Sequence, residues 1–345
     1  MSPTHPLCSK KAHVRHLIFL LVLATGGAAR ALALEPTRPQ VVRPPESQRL
    51  ADPPRVQTER NYDEAKVGSY TLPDPLRLQS EEPVRDAETW LRRRRPELLA
   101  LYEKEIYGRV PVTALKLHFA MTSTTPDALD GAAIRQDLVG RMGDGANAPA
   151  VRLVLFLPAK APRPVPVVLH MLFKSPPDDS RKVTGEARTA PEIIARGYAY
   201  AVFSYADVEG DHAHDNLALV RRAALAPGQA VPASDEWGTV AAWAWAASCV
   251  IDHLETEPAV DAKRVALVGL SRLGKTALWA GARDPRFALV FSACSGKLGA
   301  ALSRRNYGEK LDDMSVNFPW WFTSEFFHYA GRWDDLPLDA NVLIA

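Results

Sequence analysis

Hydrophobic and polar positions change period along this chain, and each change marks a new element. From Asp86 to Tyr107, the residues Trp90, Leu91, Leu98, Leu99, Leu101, Tyr102 and Ile106 recur at helical spacing, and Tyr107-Gly108-Arg109-Val110-Pro111 ends the helix. Leu115–Thr122 and Ala133–Arg141 then alternate polar and apolar residues, which predicts an antiparallel pair with one wet face. Val151–Leu157 is also strand-like, whereas Val165–Leu172 and Tyr198–Ser204 are almost wholly apolar, as central parallel strands are. Between the last two, Ala190–Arg196 supplies a short crossover helix closed by Gly197. Asp235–Glu257 reads as a long helix with Ser234 as N-cap and a buried stripe through Trp237, Val240, Trp243, Ala247, Val250, Ile251 and Leu254. Phe287–Ala293 adds a strand, and Phe318–Tyr329 reads as an aromatic helix. This alternation predicts a mostly parallel sheet flanked by helices, a three-layer α/β sandwich.

Residues 265–280 carry the chemistry: Val-Ala-Leu-Val-Gly-Leu-Ser-Arg-Leu-Gly-Lys-Thr-Ala-Leu-Trp-Ala. A strand Val265–Val268, a tight turn at Gly269–Ser271 and a helix beginning beside the serine have the layout of a nucleophile elbow. They are expected to form the middle of an α/β-hydrolase sheet. Such a turn lifts the serine hydroxyl away from the backbone and leaves the first helical N–H groups for an oxyanion. The match to Gly-x-Ser-x-Gly is imperfect, because Leu273 fills the last position and Gly274 comes one residue late. Lys275 follows Ser271 by one helical turn and falls on the same face, an exposed charge at the mouth of a site.

Composition limits the partners. A net charge of +2 over 345 residues gives no electrostatic case for nucleic acid or an anionic membrane, and the run Arg92–Arg95 reads as a solvated helix face. Lys10, Lys11 and Arg15, the apolar Leu17–Leu23 and the small-residue motif Ala31-Leu32-Ala33 read as a cleavable leader over 1–33, so a secreted or periplasmic protein is expected. The apolar stretch is well short of the ~20 residues that span a bilayer. Residues 34–85, rich in proline, arginine and glutamine, read as a linker or a wrap-around arm, leaving 86–345 as a partial α/β-hydrolase domain. Cys8 leaves with the leader; Cys249 and Cys294 lack zinc-site spacing and read as small buried residues, with a disulfide between them left open. Asp207, Glu209, Asp211, His212, His214 and Asp215 concentrate polar ligands after a strand and are read as cleft-lining groups rather than a metal site. Trp243 and Trp245 read as packing residues, as does His170.

Several motifs, taken together, resemble one family. They are Asp235-Glu236-Trp237-Gly238, the helix end Asp252–Glu257, Gly-Leu-Ser-Arg-Leu-Gly-Lys at 269–275, Cys294-Ser295-Gly296, Arg304-Arg305-Asn306-Tyr307-Gly308-Glu309 and Phe318-Pro319-Trp320-Trp321-Phe322. From about Ala87 onward the chain resembles the bacterial glucuronoyl esterases, carbohydrate esterase family 15. The resemblance implies an exported α/β-hydrolase that splits the ester between 4-O-methyl-glucuronate of xylan and a lignin alcohol through an acyl-enzyme on Ser271. It implies no cofactor and no metal, plant cell wall glucuronoxylan as the partner, and a monomer when full length. Arg272 is expected to serve the oxyanion, and Lys275, Glu309 and Asn317 to hold the sugar.

The chain departs from the family at three places. Some members carry a glutamate directly before Ser-Gly after the elbow strand, where this chain has Cys294, and a thiol does not orient an imidazole as a carboxylate does. The chain order serine, acid, histidine puts the base well past the segment 336–339. The acid and histidine are therefore expected beyond residue 345, with a C-terminally truncated and inactive chain and a sheet left with an open edge. His328, with Asp312 or Asp313 as its acid, is a minor alternative. The segment His170-Met171-Leu172-Phe173-Lys174-Ser175-Pro176 lacks the glycine-rich turn that supplies a second oxyanion donor in many hydrolases. Two rivals stay open: an acetyl-xylan-type carbohydrate esterase and a non-catalytic remnant that binds acidic sugar.

Overall fold

Alternation along two central strands shows how the sheet is covered. In the computed structural model, β3 (Ala150–Pro158) and β5 (Ala199–Ser204) are buried along nearly their whole length. Leu153, Leu155, Ala201 and Phe203 join one apolar cluster, and Val154, Phe156, Tyr200 and Val202 join another. Successive side chains of a strand point to opposite faces, so the two clusters are the two sides of one sheet. The structure describes residues 58–345 except 179–182 and 184; the expected leader at 1–33 lies outside the described residues.

Among the described residues the sheet has seven strands in the order β1-β2-β3-β5-β4-β6-β7. β1 (His118–Ala128), β2 (Ala133–Arg141) and β3 form antiparallel neighbours, and β3 is also antiparallel to β5. β5, β4 (Val165–Leu172), β6 (Val260–Leu270) and β7 (Phe287–Ala293) run parallel. After β4 the chain builds β5 on one side and then returns past β4 to build β6 on the other. That reversal opens a crevice at the carboxyl ends of the strands, the usual ligand position in such sheets. The short helix Ala190–Ala195 covers one face, and Thr239–Leu254 with the elbow helix Arg272–Arg283 covers the other.

Three expectations fail locally, each for a physical reason. The long helix begins at Thr239 behind Gly238, because Asp235 and Glu236 turn outward to pair with Arg109 at 2.8 and 3.4 Å while the Gly238 N–H donates to the Tyr107 carbonyl at 2.9 Å. Phe318–Tyr329 is not one helix. A helix Leu311–Asn317 precedes Pro319, and two single turns, Pro319–Trp321 and Glu325–Tyr329, follow. Over 87–107, π-turns at Trp90–Arg94 and Glu103–Tyr107 flank the α-helix Arg95–Tyr102 and shift its phase, so Leu98, Tyr102 and Ile106 are buried while Leu91 faces solvent.

The basic run and the cysteines also differ from expectation. Arg94 is buried and donates to the carbonyls of Pro75 and Asp74 at 3.1 Å each, and Arg95 reaches the Ala282 carbonyl. Cys249 is buried but Cys294 is exposed, and both are free thiols, so no disulfide joins them.

Residues 58–85 are docked on the body. Thr58 and Arg60 both bond the Asp313 carboxylate, the Asn61 carbonyl accepts from Gly308 N–H at 2.7 Å, and Asn341 donates to the Pro73 carbonyl at 2.7 Å.

Candidate active site

β6 ends at Leu270, and Ser271 takes φ 58° and ψ −123° before the elbow helix begins at Arg272. A non-glycine residue held at positive φ is strained, and such strain persists only where the surroundings impose it. Here the Ser271 N–H is held by the Ala293 carbonyl at the end of β7, at 2.8 Å, and the Ser271 carbonyl accepts from Gly274 and Lys275. The Ser271 side chain is exposed. Arg272 and Leu273 open the helix, ahead of the first intrahelical bonds, so their amides stand at its positive end.

The late glycine has a steric cause. A Cβ at Gly274 would lie 2.8 Å from the Ala293 carbonyl oxygen, and one at Gly269 would overlap the Leu273 carbonyl. Glycine is needed where the helix crosses β7, and in this turn that crossing falls at 274. Leu273, at the usual glycine position, is buried in the core.

Lys275 is buried, 4% exposed, which corrects the expectation of an exposed charge. Its Nζ donates to the Ser295 carbonyl and lies 5.6 Å from the centroid of Trp321. Glu309 comes to the same place: a Cβ built on Gly296 would be 2.9 Å from Glu309 Oε2 and 3.5 Å from Lys275 Nζ. Burial lowers the Lys275 ammonium to about 8; Glu309 opposes that shift and Arg272 adds to it. Asn317, the last residue of its helix, donates its amide to the Asp313 carbonyl at 2.6 Å and immediately precedes Phe318.

Arg272 lies in an aromatic cage. Its Cζ is 5.2 Å from the Trp321 centroid, 5.3 Å from Phe318 and 5.8 Å from Phe173. Asp211, 3% exposed, pairs with the guanidinium and accepts from the indole N–H groups of Trp320 and Trp321. No local motif marks this role for Asp211. The available signal was indirect, since two adjacent tryptophans entering a cleft need acceptors for their N–H groups.

The other polar groups of that loop have separate tasks. Asp207 accepts the Arg152 N–H, Glu209 accepts from the Ala218, Leu219 and Arg221 amides, and Asp215 caps His212. His212 and His214 stack at 5.5 Å. Among the described residues no three such groups gather as metal ligands. Trp243 is buried with its N–H on the Glu209 carbonyl, and Trp245 packs edge-on against Trp237.

After β4, the Phe173 and Lys174 amides are taken by the Glu186 carboxylate at 2.9 and 3.0 Å, so this turn spends its donors internally. His170 bonds the Tyr200 hydroxyl, and burial lowers its imidazole to about 4. His328 pairs with Glu325 at 3.0 Å and is 69% exposed. Its suggested partners are engaged elsewhere, Asp312 with the Trp333 indole and Asp313 with the arm, so that minor alternative is corrected. Among the described residues nothing hydrogen-bonds the Ser271 hydroxyl.

Residues 230–345 match the family model described as "Glucuronyl esterase, fungi". The chain is 38% identical over 314 residues to carbohydrate esterase MZ0003 of an unknown prokaryotic organism, covering 83% of this chain and 72% of that relative. It superposes on the glucuronoyl esterase from Solibacter usitatus with a TM-score of 0.75 at 40% identity, covering 82% of this chain and 78% of the other. A family 15 glucuronoyl esterase from Teredinibacter turnerae gives a TM-score of 0.74 at 33% identity, covering 83% and 72%. With the elbow, its arginine and the α/β-hydrolase sheet all in place, this chain belongs to carbohydrate esterase family 15, the glucuronoyl esterases.

Proposed function

We propose that the protein is an exported serine hydrolase of glucuronoyl esters, acting on 4-O-methyl-glucuronate of xylan esterified to lignin alcohols through an acyl-enzyme on Ser271. The observation that carries this reading is the strained Ser271 at the head of a twelve-residue helix, one turn from the buried Lys275, with the half-buried Glu309 beside that lysine. In the proposed reaction the Ser271 oxygen attacks the ester carbonyl. The helix-opening amides and the Arg272 guanidinium take the oxyanion, a general base carries the serine proton to the departing alcohol, and water then splits the acyl-enzyme to free the uronate and restore the Ser271 hydroxyl. Lys275 and Glu309 offer a donor and an acceptor to neighbouring sugar hydroxyls, which suits a uronate better than a simple acetyl group. Asn317 is the weakest member of the set, because its amide already serves the Asp313 carbonyl.

The 345-residue polypeptide is proposed to be nearly inactive by itself, because the Ser271 hydroxyl lacks a hydrogen-bonded base among the described residues and an unactivated serine is a poor nucleophile. With benzyl glucuronate we expect negligible turnover. Added imidazole should restore a slow rate that Ser271→Ala abolishes, and nitrophenyl acetate should gain less. Rapid turnover without imidazole would overturn the claim of inactivity. Failure to bind methyl glucuronate, or imidazole-dependent turnover that survives Ser271→Ala, would overturn the assignment of the site.

A further inference from the structure

An arginine next to a nucleophile helps only if its guanidinium stays in place. Arginine has many rotamers in water, and an oxyanion donor that must be recruited from all of them contributes little when charge develops. The described contacts of Arg272 show what restrains it. The side chain leaves the elbow helix, keeps 21% of its surface accessible, and pairs through Nη1 with Asp211 Oδ2, whose side chain has no accessible surface. It therefore runs from a sealed carboxylate toward the open end of the cleft.

Asp211 is itself fixed from a third direction. Its Oδ1 accepts from Trp320 Nε1 at 3.0 Å and Trp321 Nε1 at 2.6 Å, while the Trp321 ring stacks on Phe318 at 4.0 Å and 7°. Three separate stretches meet at one carboxylate: the loop after β5, the elbow after β6, and the aromatic turn Pro319–Trp321. Burying a carboxylate is costly unless it is compensated, and here Oδ1 accepts both indole hydrogen bonds while Oδ2 is ion-paired with Arg272. Gly210 tightens the loop further, because a Cβ there would overlap the Asp215 carboxylate.

We infer that Asp211 is a positioning residue for the esterase reaction: with the Trp320 and Trp321 indoles as its own anchors, it sets the Arg272 guanidinium where the tetrahedral oxyanion forms. This rests on the ester-hydrolase reading above. Asp211 acts through Arg272 and touches no substrate atom. Its loss should therefore weaken recognition of a tetrahedral anion and spare recognition of the ground state.

Binding tests this without requiring turnover. The probes are a hydrolytically inert phosphonate monoanion analogue of methyl glucuronate and the neutral glucuronamide, both titrated calorimetrically into the protein. In Asp211→Asn we expect phosphonate affinity to fall about 30-fold and amide affinity to change less than about 3-fold. In an Arg272→Gln background the same Asp211→Asn change should move phosphonate affinity less than about 2-fold, because the two residues act as one unit. Asp211→Glu should recover part of the loss. Trp320→Phe, which removes one anchor and leaves the ion pair, should cost about 5-fold on the phosphonate alone, and it carries the test if Asp211→Asn does not fold.

Unchanged or tighter phosphonate binding in the Asp211 and Trp320 variants would overturn the inference, since Asp211 would then merely offset the arginine charge. Equal losses for both probes would overturn it as well, by showing a purely structural role. A wild-type protein that binds neither probe would overturn the uronate-ester reading and the inference together.

Discussion

Lys275 shows how burial changes a single residue that the sequence places correctly. Its spacing from Ser271 puts it on the right face of the helix, but its depth is set by a segment twenty residues away, where the Ser295 carbonyl and Gly296 close over the ammonium. Helical periodicity carries no information about such a non-local lid. The consequence is measurable. Burial brings the ammonium from an ordinary 10.5 down to about 8, so between those values the unfolded chain holds the proton while the folded protein has released it. Stability linked to this group must then rise with pH: the penalty is full below pH 8 and fades as pH approaches 10.5. From pH 7 to pH 10, the unfolding free energy of the wild type relative to Lys275→Met is expected to rise by on the order of 2 kcal/mol, read from urea melts. A gap that stays constant with pH would show that Lys275 is not buried as a charge.

Among the elements, the parallel strands and the elbow were legible because their signal is local: an apolar run, then Gly-x-Ser at a strand-to-helix turn. The stretch 58–66 was not, since the proline-rich segment 34–85 that contains it leaves a linker and a docked arm equally open, and only distant partners decide between them. The deciding partner is Asp313. Burial pushes its carboxyl up, but hydrogen bonds from Lys310 and Thr58 and the charge of Arg60 outweigh that and hold it below the usual carboxylate range. The arm in turn grips the loop that carries Glu309, through the Asn61 carbonyl on the Gly308 amide, the Asn61 amide on the Asn306 carbonyl and Glu64 on Arg305. Asp313→Asn should therefore loosen two elements at once. Trypsin is expected to cut after Arg60 and Lys66 about 10-fold faster than in the wild type, and methyl glucuronate should bind more weakly. Unchanged cleavage would mean that the arm is held by its other contacts alone.

The whole sheet presents two edges among the described residues, and they are not equivalent. β1 carries Pro126, a row of exposed serine and threonine residues, and two breaks in register against β2, all of which discourage pairing with another chain. β7 has a single break in register, between Val265 and Ala266 of β6, and carries neither a proline nor a row of exposed hydroxyl residues. Its residues pair with β6 on one side, and it presents Leu289 at 56% and Phe291 at 54% exposure on one face. An open ladder flanked by exposed large apolar side chains is a template for association, so the 345-residue polypeptide is expected to self-associate through β7 at micromolar concentration. The double change Leu289→Lys and Phe291→Lys places two like charges on that face. It should shift the sedimentation profile to monomer while altering unfolding free energy by less than about 1 kcal/mol, because both side chains are already largely in water. Thr124→Lys on β1 should leave the profile of the parent chain unchanged. Association that persists in the β7 variant would place the contact elsewhere on the molecule, and association relieved by the β1 change would reverse the assignment of the two edges.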